Sequence, residues 1–412
     1  MTAAANRPFR AAVTGFGMVT AAGIGAAATW EALLAGRSTA ARVPELAGMP
    51  VDFACKAQQF DGDALLGRRV AWRLDRSTQM TMVATTEALQ LAGLDPAEWD
   101  GARVGVVIAT ALGGMTTWDR EYARLAERGP GAVSPLLIPM AAVNMTAGQV
   151  AAAHGAKGPN FAVATACASG TTALGAARDL LRTDLCDIVI AGGTEASITP
   201  LVAAAFAKMG ALSSRTDDPA TASRPFDAAR DGFVLAEGAS VLVLERPEHA
   251  RARGARPYAF LSGYGSSADA GHATRPDPDG RGAEVALRGA LADAGLVPDD
   301  VDHVNAHGTS TPLNDAVESM VTHRVLGERP AVTSIKGVTG HCLGASGSHE
   351  AIATVLSLHH QVVPPTANVE ELDPQVQVDV VTDKPRQLLM GAAVSHSFGF
   401  GGQNAVVAFT SA

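Results

Sequence analysis

Short apolar runs alternate along the chain with longer stretches of helical period. Residues 11–13, 104–108, 161–164, 188–191 and 241–244 read as strands, and a second series follows at 258–263, 301–305, 332–335, 378–381, 393–397 and 405–409. The runs are continuously apolar and do not alternate, which predicts sheets buried on both faces. Between them, residues 79–92, 171–181, 283–294 and 348–359 carry helical periodicity. Gly93 and Gly295 stand where the first and third of these helices must end, as C-cap glycines. Strands alternating with helices define an α/β fold.

The element order hints at a duplication. In each series one strand ends at a reactive type of residue and then turns into a helix. The first reads Phe161-Ala-Val-Ala-Thr-Ala-Cys167 and the second Val301-Asp-His-Val-Asn-Ala-His307. A break at 247–257 (PEHARARGARP) separates them, so two halves are expected, 1–252 with Cys167 and 253–412 with His307 and His341.

Composition narrows the class. At 412 residues the chain exceeds one ordinary core. Hydrophobic residues make up 47% and charged residues 18%, the opposite of a disordered chain. The net charge of −9 comes with no dominant basic stripe, which argues against nucleic acid as a partner. Cys55, Cys167, Cys186 and Cys342 form no C-x-x-C pair, so neither a zinc ribbon nor a disulfide framework is expected. The N-terminal stretch lacks the apolar core of a signal peptide, and no run reaches the length of a membrane span. A cytoplasmic protein is the expectation.

Cys167 is the most informative residue. It ends a strand at the start of a helix, where free N–H groups and the positive helix end favour a thiolate. Its neighbours Ala166, Ala168, Ser169 and Gly170 are small enough for a sharp elbow. His307 sits in Asn-Ala-His-Gly-Thr-Ser-Thr, and His341 stands between Gly340 and a helix. Ser397-Phe-Gly-Phe-Gly-Gly402 can bring a backbone N–H to the nucleophile, as an oxyanion hole requires.

Five motifs in order carry a resemblance. They are Thr165-Ala-Cys-Ala-Ser-Gly170, Asp231-Gly-Phe-Val-Leu-Ala-Glu-Gly238, Asn305-Ala-His-Gly-Thr-Ser-Thr-Pro-Leu-Asn-Asp315, Lys336 with Thr339-Gly-His341, and Ser397-Phe-Gly-Phe-Gly-Gly402. Over nearly its whole length the chain resembles the elongating β-ketoacyl-[acyl-carrier-protein] synthases. The resemblance implies the thiolase fold, five layers αβαβα built from two βαβαβαββ halves. It makes Cys167 the acyl-accepting nucleophile, and His307 and His341 the two histidines of decarboxylation and condensation. It makes Lys336 a supporting lysine, Glu318 its glutamate partner, and Phe400 the gating phenylalanine whose N–H joins that of Cys167. Trp118, Phe206, Phe398, Thr309 and Thr311 become substrate-binding residues, with Trp118 limiting the acyl tunnel near a dimer interface. No metal and no organic cofactor are implied.

Two departures from the family pattern bear on substrate shape. His396 replaces an Asn common before the Ser-Phe-Gly-Phe-Gly-Gly run, and Gly337-Val338 replaces Ser-Met after the lysine. The stretch 231–238 looks more like the ketosynthase α subunits of type II polyketide systems than like fatty-acid enzymes. That implies a heterodimer with a chain-length-factor homologue; a fatty-acid enzyme would instead be a homodimer. A non-catalytic chain-length factor lacks the active cysteine, and a coenzyme A thiolase needs a second cysteine near the C-terminus; this chain fits neither. Gly15-Phe-Gly17 is followed by a glycine only at Gly23, the wrong spacing for a dinucleotide fingerprint. Acyl carrier proteins are acidic, so Arg68 and Arg69, with Lys208, are the expected docking residues.

Overall fold

The computed structural model describes residues 8–412. The first half contributes β1 (Ala11–Thr20), β2 (Val104–Ala109), β3 (Asn160–Val163), β4 (Ile188–Ala196) and β5 (Glu237–Glu245). The second contributes β6 (Ala259–Ala268), β7 (Val301–Asn305), β8 (Ala331–Thr333), β9 (Asp379–Val380), β10 (Ala392–Gly399) and β11 (Gln403–Ser411). Every apolar run singled out above overlaps one of these strands. Most strands extend further, because pairing continues past the point where apolar residues stop.

The strand order exposes the duplication. The first sheet runs β1-β5-β4-β2-β3 and the second β6-β11-β10-β7-β8, with β9 added at the outer edge. Counted within each half with β9 set aside, both orders are first, fifth, fourth, second, third. Directions repeat as well: the first two pairings are antiparallel and the last two parallel in each sheet. A short antiparallel contact, Ala11–Val13 against Ala259–Leu261, joins the sheets edge to edge.

Helices complete the layers. They are α1 (Arg76–Ala92), α2 (Met115–Arg128), α3 (Met145–His154), α4 (Ser169–Arg182), α5 (Pro200–Lys208), α6 (Arg281–Ala294), α7 (Pro312–Leu326) and α8 (Ser346–His360). α4 and α8 lie between the sheets, α1 and α3 cover the first sheet outside, and α6 covers the second with α7 beside it. This is the five-layered αβαβα thiolase-like architecture. α8 is buried from Ser346 to Leu358, which explains a sequence that is apolar or small on all sides and not amphipathic. The largest apolar cluster, with Leu174, Leu242, Ile352 and Val407, draws from both halves.

The two central helices meet at their first turns. A Cβ on Gly170 would lie 2.6 Å from the Ser348 nitrogen, and one on Gly347 would lie 2.7 Å from the Thr171 nitrogen. Each glycine is the second residue of its helix, so backbone approaches backbone there. Gly93 and Gly295 are both left-handed caps, as expected.

Topology corrects one pairing made from sequence. The β3–α4 connection carries Cys167, and its counterpart, the β8–α8 connection, carries His341. His307 follows β7, whose counterpart is β2, so His307 is not the duplicate of Cys167. The structure also shows β3 as a half-exposed edge strand, with Phe161 on its surface, where the sequence reads as buried. Among the described residues no helix is long and apolar enough to cross a membrane.

Candidate active site

The elbow at Cys167 is strained. Ala166 sits at φ 48°, a left-handed conformation unusual for a residue with a side chain. Ser169 holds the turn: its hydroxyl donates to the Ala166 carbonyl at 2.6 Å and accepts the Thr165 N–H at 2.8 Å. The Cys167 side chain thereby faces away from α4 into a cavity.

His341 reaches the same point. The stretch 231–238 holds its backbone on both sides, with His341 N–H donating to the Val234 carbonyl at 2.7 Å and Ala236 N–H donating to the His341 carbonyl at 3.0 Å. Its Nε2 lies 3.2 Å from Cys167 Sγ, and its Nδ1 lies 2.9 Å from Ser346 Oγ at the start of α8. His307 completes the cluster; the sulfur and one nitrogen of each histidine lie within 4.8 Å of one another.

Burial sets the charge states. Both histidines are pushed well below the ordinary imidazole value, first by burial and then by the Lys336 charge. They are therefore neutral near pH 7. Lys336 Nζ lies 3.4 Å from His307 Nδ1. An ammonium only donates, so the His307 hydrogen sits on Nε2.

The Cys167 thiol departs from the sequence expectation. Burial pushes it up to about 11, against the Phe400 N–H that hydrogen-bonds the sulfur and the nearby Lys336 charge. One helix end contributes up to about 2 kcal/mol, less than the cost of burying an unpaired anion. At rest the group is a thiol.

The Phe400 loop comes close because Gly399 has no side chain. A Cβ there would lie 3.0 Å from the Cys167 nitrogen and from the Thr165 carbonyl oxygen. Gly401 N–H donates to the Ala273 carbonyl at 2.7 Å, tying this loop to the neighbouring segment at the cavity mouth.

Lys336 does not pair with Glu318, contrary to the reading from resemblance. Lys336 Nζ contacts Glu350 of α8 and donates to the His307 carbonyl at 2.5 Å; Lys336 and Glu350 are both fully buried. Burial pushes the Glu350 carboxyl up and Lys336 pulls it down. Glu318, on α7, instead accepts the N–H groups of His307 and Gly308, each at 2.7 Å. Its position one helix away, facing the turn, gives it backbone donors before it can reach Nζ. Glu350 escaped the sequence reading; the available signal was the only acid of a helix whose remaining residues are small, apolar or neutral. Glu195 is similar, an acid at the end of apolar β4. It accepts N–H bonds from Ala111 and Gly344, binding two cavity-lining segments together, and burial pushes it up to about 7.

The cavity at Cys167 holds about 740 Å³, within the range of small-molecule sites. Phe206, Phe398, Thr309, Thr311 and Phe400 all line it, as do Met209 and Leu343. Trp118 does not: it lies half-exposed on α2, outside the cavity of this chain, because Leu112 and Gly113 turn the backbone away before the helix begins. Gly337 packs against Ala367 and Val338 is core, so that departure does not shape the cavity. Lys208 is exposed beside Met209 at the mouth. Arg68 and Arg69 are exposed on a separate short helix with no acidic partner among the described residues. Arg76, a little further along the chain, is committed to buried Glu237 at 2.7 Å.

A thiol on a strained elbow, facing two neutral histidines where two like halves meet, marks a thiol-dependent acyltransferase of the thiolase fold. Residues 9–250 match the β-ketoacyl synthase N-terminal domain and residues 258–370 the β-ketoacyl synthase C-terminal domain. The chain is 43% identical over 405 residues to the 3-oxoacyl-[acyl-carrier-protein] synthase 2 of Synechocystis sp., covering 97% of each. It superposes on the ishigamide ketosynthase/chain length factor with a TM-score of 0.92 at 32% identity, covering 98% of this chain and 100% of that one. A second solved structure, a type II PKS acyl-carrier protein in complex with its ketosynthase bound to the hexaketide, gives 0.91 at 32% identity with the same coverage. The chain belongs to the β-ketoacyl synthase family.

Proposed function

We propose that the chain condenses a Cys167-bound acyl group with a malonyl group carried by an acyl carrier protein, releasing CO2 and a 3-oxoacyl thioester. The observation that carries this reading is the meeting of Cys167 Sγ, His341 Nε2 and His307 in one cavity.

In the first step the Cys167 sulfur attacks the acyl thioester. Its proton passes to His341 Nε2 and on to the departing carrier thiol, so the exchange is covalent and ping-pong. Ser346 Oγ can donate to or accept from His341 Nδ1, so either ring tautomer finds a partner. In the second step the malonyl thioester loses CO2, and its oxygen gains negative charge. Nε2–H of His307 and of His341 donate to that oxygen. One such donor contributes about 3–4 kcal/mol, by analogy with deletions of oxyanion-hole donors. The enolate carbon then attacks the Cys167 thioester carbonyl, whose oxygen accepts from the N–H groups of Phe400 and Cys167. The thiolate leaves and takes up one proton from solvent, replacing the one that left with the carrier thiol.

The reading extends to polyketide assembly, with a chain-length-factor homologue as the partner subunit. The likeness to the ishigamide ketosynthase/chain length factor and to the type II PKS ketosynthase supports it. Fatty-acid elongation by a homodimer is the second reading, favoured by 43% identity to a 3-oxoacyl-[acyl-carrier-protein] synthase 2. We divide the chain at 252/253, between the two repeated strand orders, and assign Arg68, Arg69 and Lys208 to carrier docking.

Mass spectrometry tests the reaction. Wild-type chain incubated with an acyl carrier protein should gain the acyl mass at Cys167, and Cys167→Ala should not. Acylation of the variant refutes the role of Cys167. Co-purification from the native host then separates the two readings: a single polypeptide active alone overturns the heterodimer.

A further inference from the structure

His396 is a buried histidine that the reaction above does not use. Its Nδ1 lies 3.1 Å from Glu318 Oε1, the oxygen that also accepts the His307 N–H. Both side chains are fully buried. Glu318 Oε2 accepts the Gly308 N–H at 2.7 Å and the Asn314 side-chain amide at 3.3 Å. Among the described residues no lysine or arginine pairs with Glu318; His396 is its partner. The Nε2 of His396 has no hydrogen-bond partner, so its contacts do not compete with the one at Nδ1. A second connection runs through Phe398. That ring lies 5.5 Å from His396 and packs edge-on to His307 at 6.1 Å.

We propose that His396 is a positioning residue: by donating from Nδ1 to Glu318 it fixes the carboxylate that clamps the His307–Gly308 turn, and so aims His307 Nε2–H at the malonyl thioester oxygen. The inference rests on the functional reading above. A carboxylate accepts only, so the hydrogen lies on His396 Nδ1. Without that bond Oε1 is held by a single N–H, and a carboxyl rotor of this kind has a broad torsional well. His307 then loses its aim, whereas Cys167 and His341 keep their own supports at Ser169, Val234 and Ser346.

The geometry makes a donor at the Nδ1 position the requirement. Asn places its amide nitrogen near His Nδ1, Gln places it near Nε2, and Leu has none. The full-length chain and its His396→Asn, His396→Gln and His396→Leu variants are compared in two half-reactions. Cys167 acylation by octanoyl carrier protein is read by intact mass, and CO2 release is read from malonyl carrier protein. His396→Leu and His396→Gln should lower kcat for CO2 release on the order of 10–100-fold, the scale of a misplaced reacting group, with KM and the acylation rate within about twofold of wild type. His396→Asn should stay within about threefold. The inference is overturned if Asn falls as far as Leu, if all three match wild type, or if acylation falls in step with CO2 release. A wild-type chain that takes no acyl group and releases no CO2 overturns the functional reading itself, whatever the variants do.

Discussion

Raising the pH is the most direct perturbation of Cys167, because the buried thiol is pushed up to about 11. At pH 8 the thiolate fraction is then about 1 in 1,000, against about 1 in 4 for a free cysteine near 8.5. A less acidic thiol gives a more nucleophilic thiolate, by roughly tenfold over this gap. Net alkylation by iodoacetamide should therefore run roughly twentyfold slower than for free cysteine at pH 8. The sign follows from burial: it disfavours the anion, so reactivity is absent at low pH and appears as pH rises. The rate should climb about tenfold per pH unit from 7 to 10 without a plateau. Even a helix contribution of about 2 kcal/mol leaves the titration above 9. Acylation by a carrier thioester should be much less steep, since His341 Nε2 at 3.2 Å takes the proton during attack. His341→Ala should give acylation the steep profile of alkylation. Intact-mass time courses measure both reactions. An alkylation plateau below pH 9 means a thiol that titrates well under the value set by burial, and refutes this account.

Three further outcomes follow from the packing. Gly399→Ala pushes a methyl against the Cys167 nitrogen and Thr165 oxygen, each 3.0 Å away, and displaces the Phe400 N–H; condensation measured by product formation should fall by about 100-fold, and wild-type turnover would contradict the close-approach argument. Leu174→Ala removes a fully buried side chain from the central layer and should cost about 2–5 kcal/mol in denaturant unfolding; a change under about 1 kcal/mol would mean that the layer collapses around the gap. Charge reversal at Arg68 and Arg69 should raise KM for the carrier protein, more at low salt, and leave acylation by a small thioester unchanged; equal loss with both substrates excludes docking there.

Much of this was legible because burial leaves a one-dimensional trace. Continuous apolar runs gave away all the main strands, and glycines 93 and 295 gave away two helix ends. Cys167, His307 and His341 stood out because small residues flank each of them. What stayed hidden depended on three-dimensional pairing. Lys336 has several acids in reach along the chain, and only packing α8 between the sheets selects Glu350 over Glu318. Helix α2 carries an apolar stripe, Trp118, Tyr122 and Leu125, but that stripe is exposed in this chain and does not line the cavity, so its period could not place Trp118. The true counterpart of Cys167 emerged from strand order, which aligns the Ala-Ser-Gly that opens α4 (168–170) with the Ala-Ser-Gly that opens α8 (345–347).

Gly170 and Gly347 place the first turns of the two central helices in backbone contact. Cys167 lies two residues before the first of these helices and His341 five before the second, one from each half, and His307 joins them from the end of β7. The centre is therefore a property of the seam, and neither half owns it. Either half folded alone would present an isolated cysteine or an isolated pair of histidines, with no chemistry between them. Acyl loading at Cys167 can thus serve as a molecular gauge of whether the duplicated halves have docked, reporting register errors at the seam that a spectroscopic measure of secondary structure would miss.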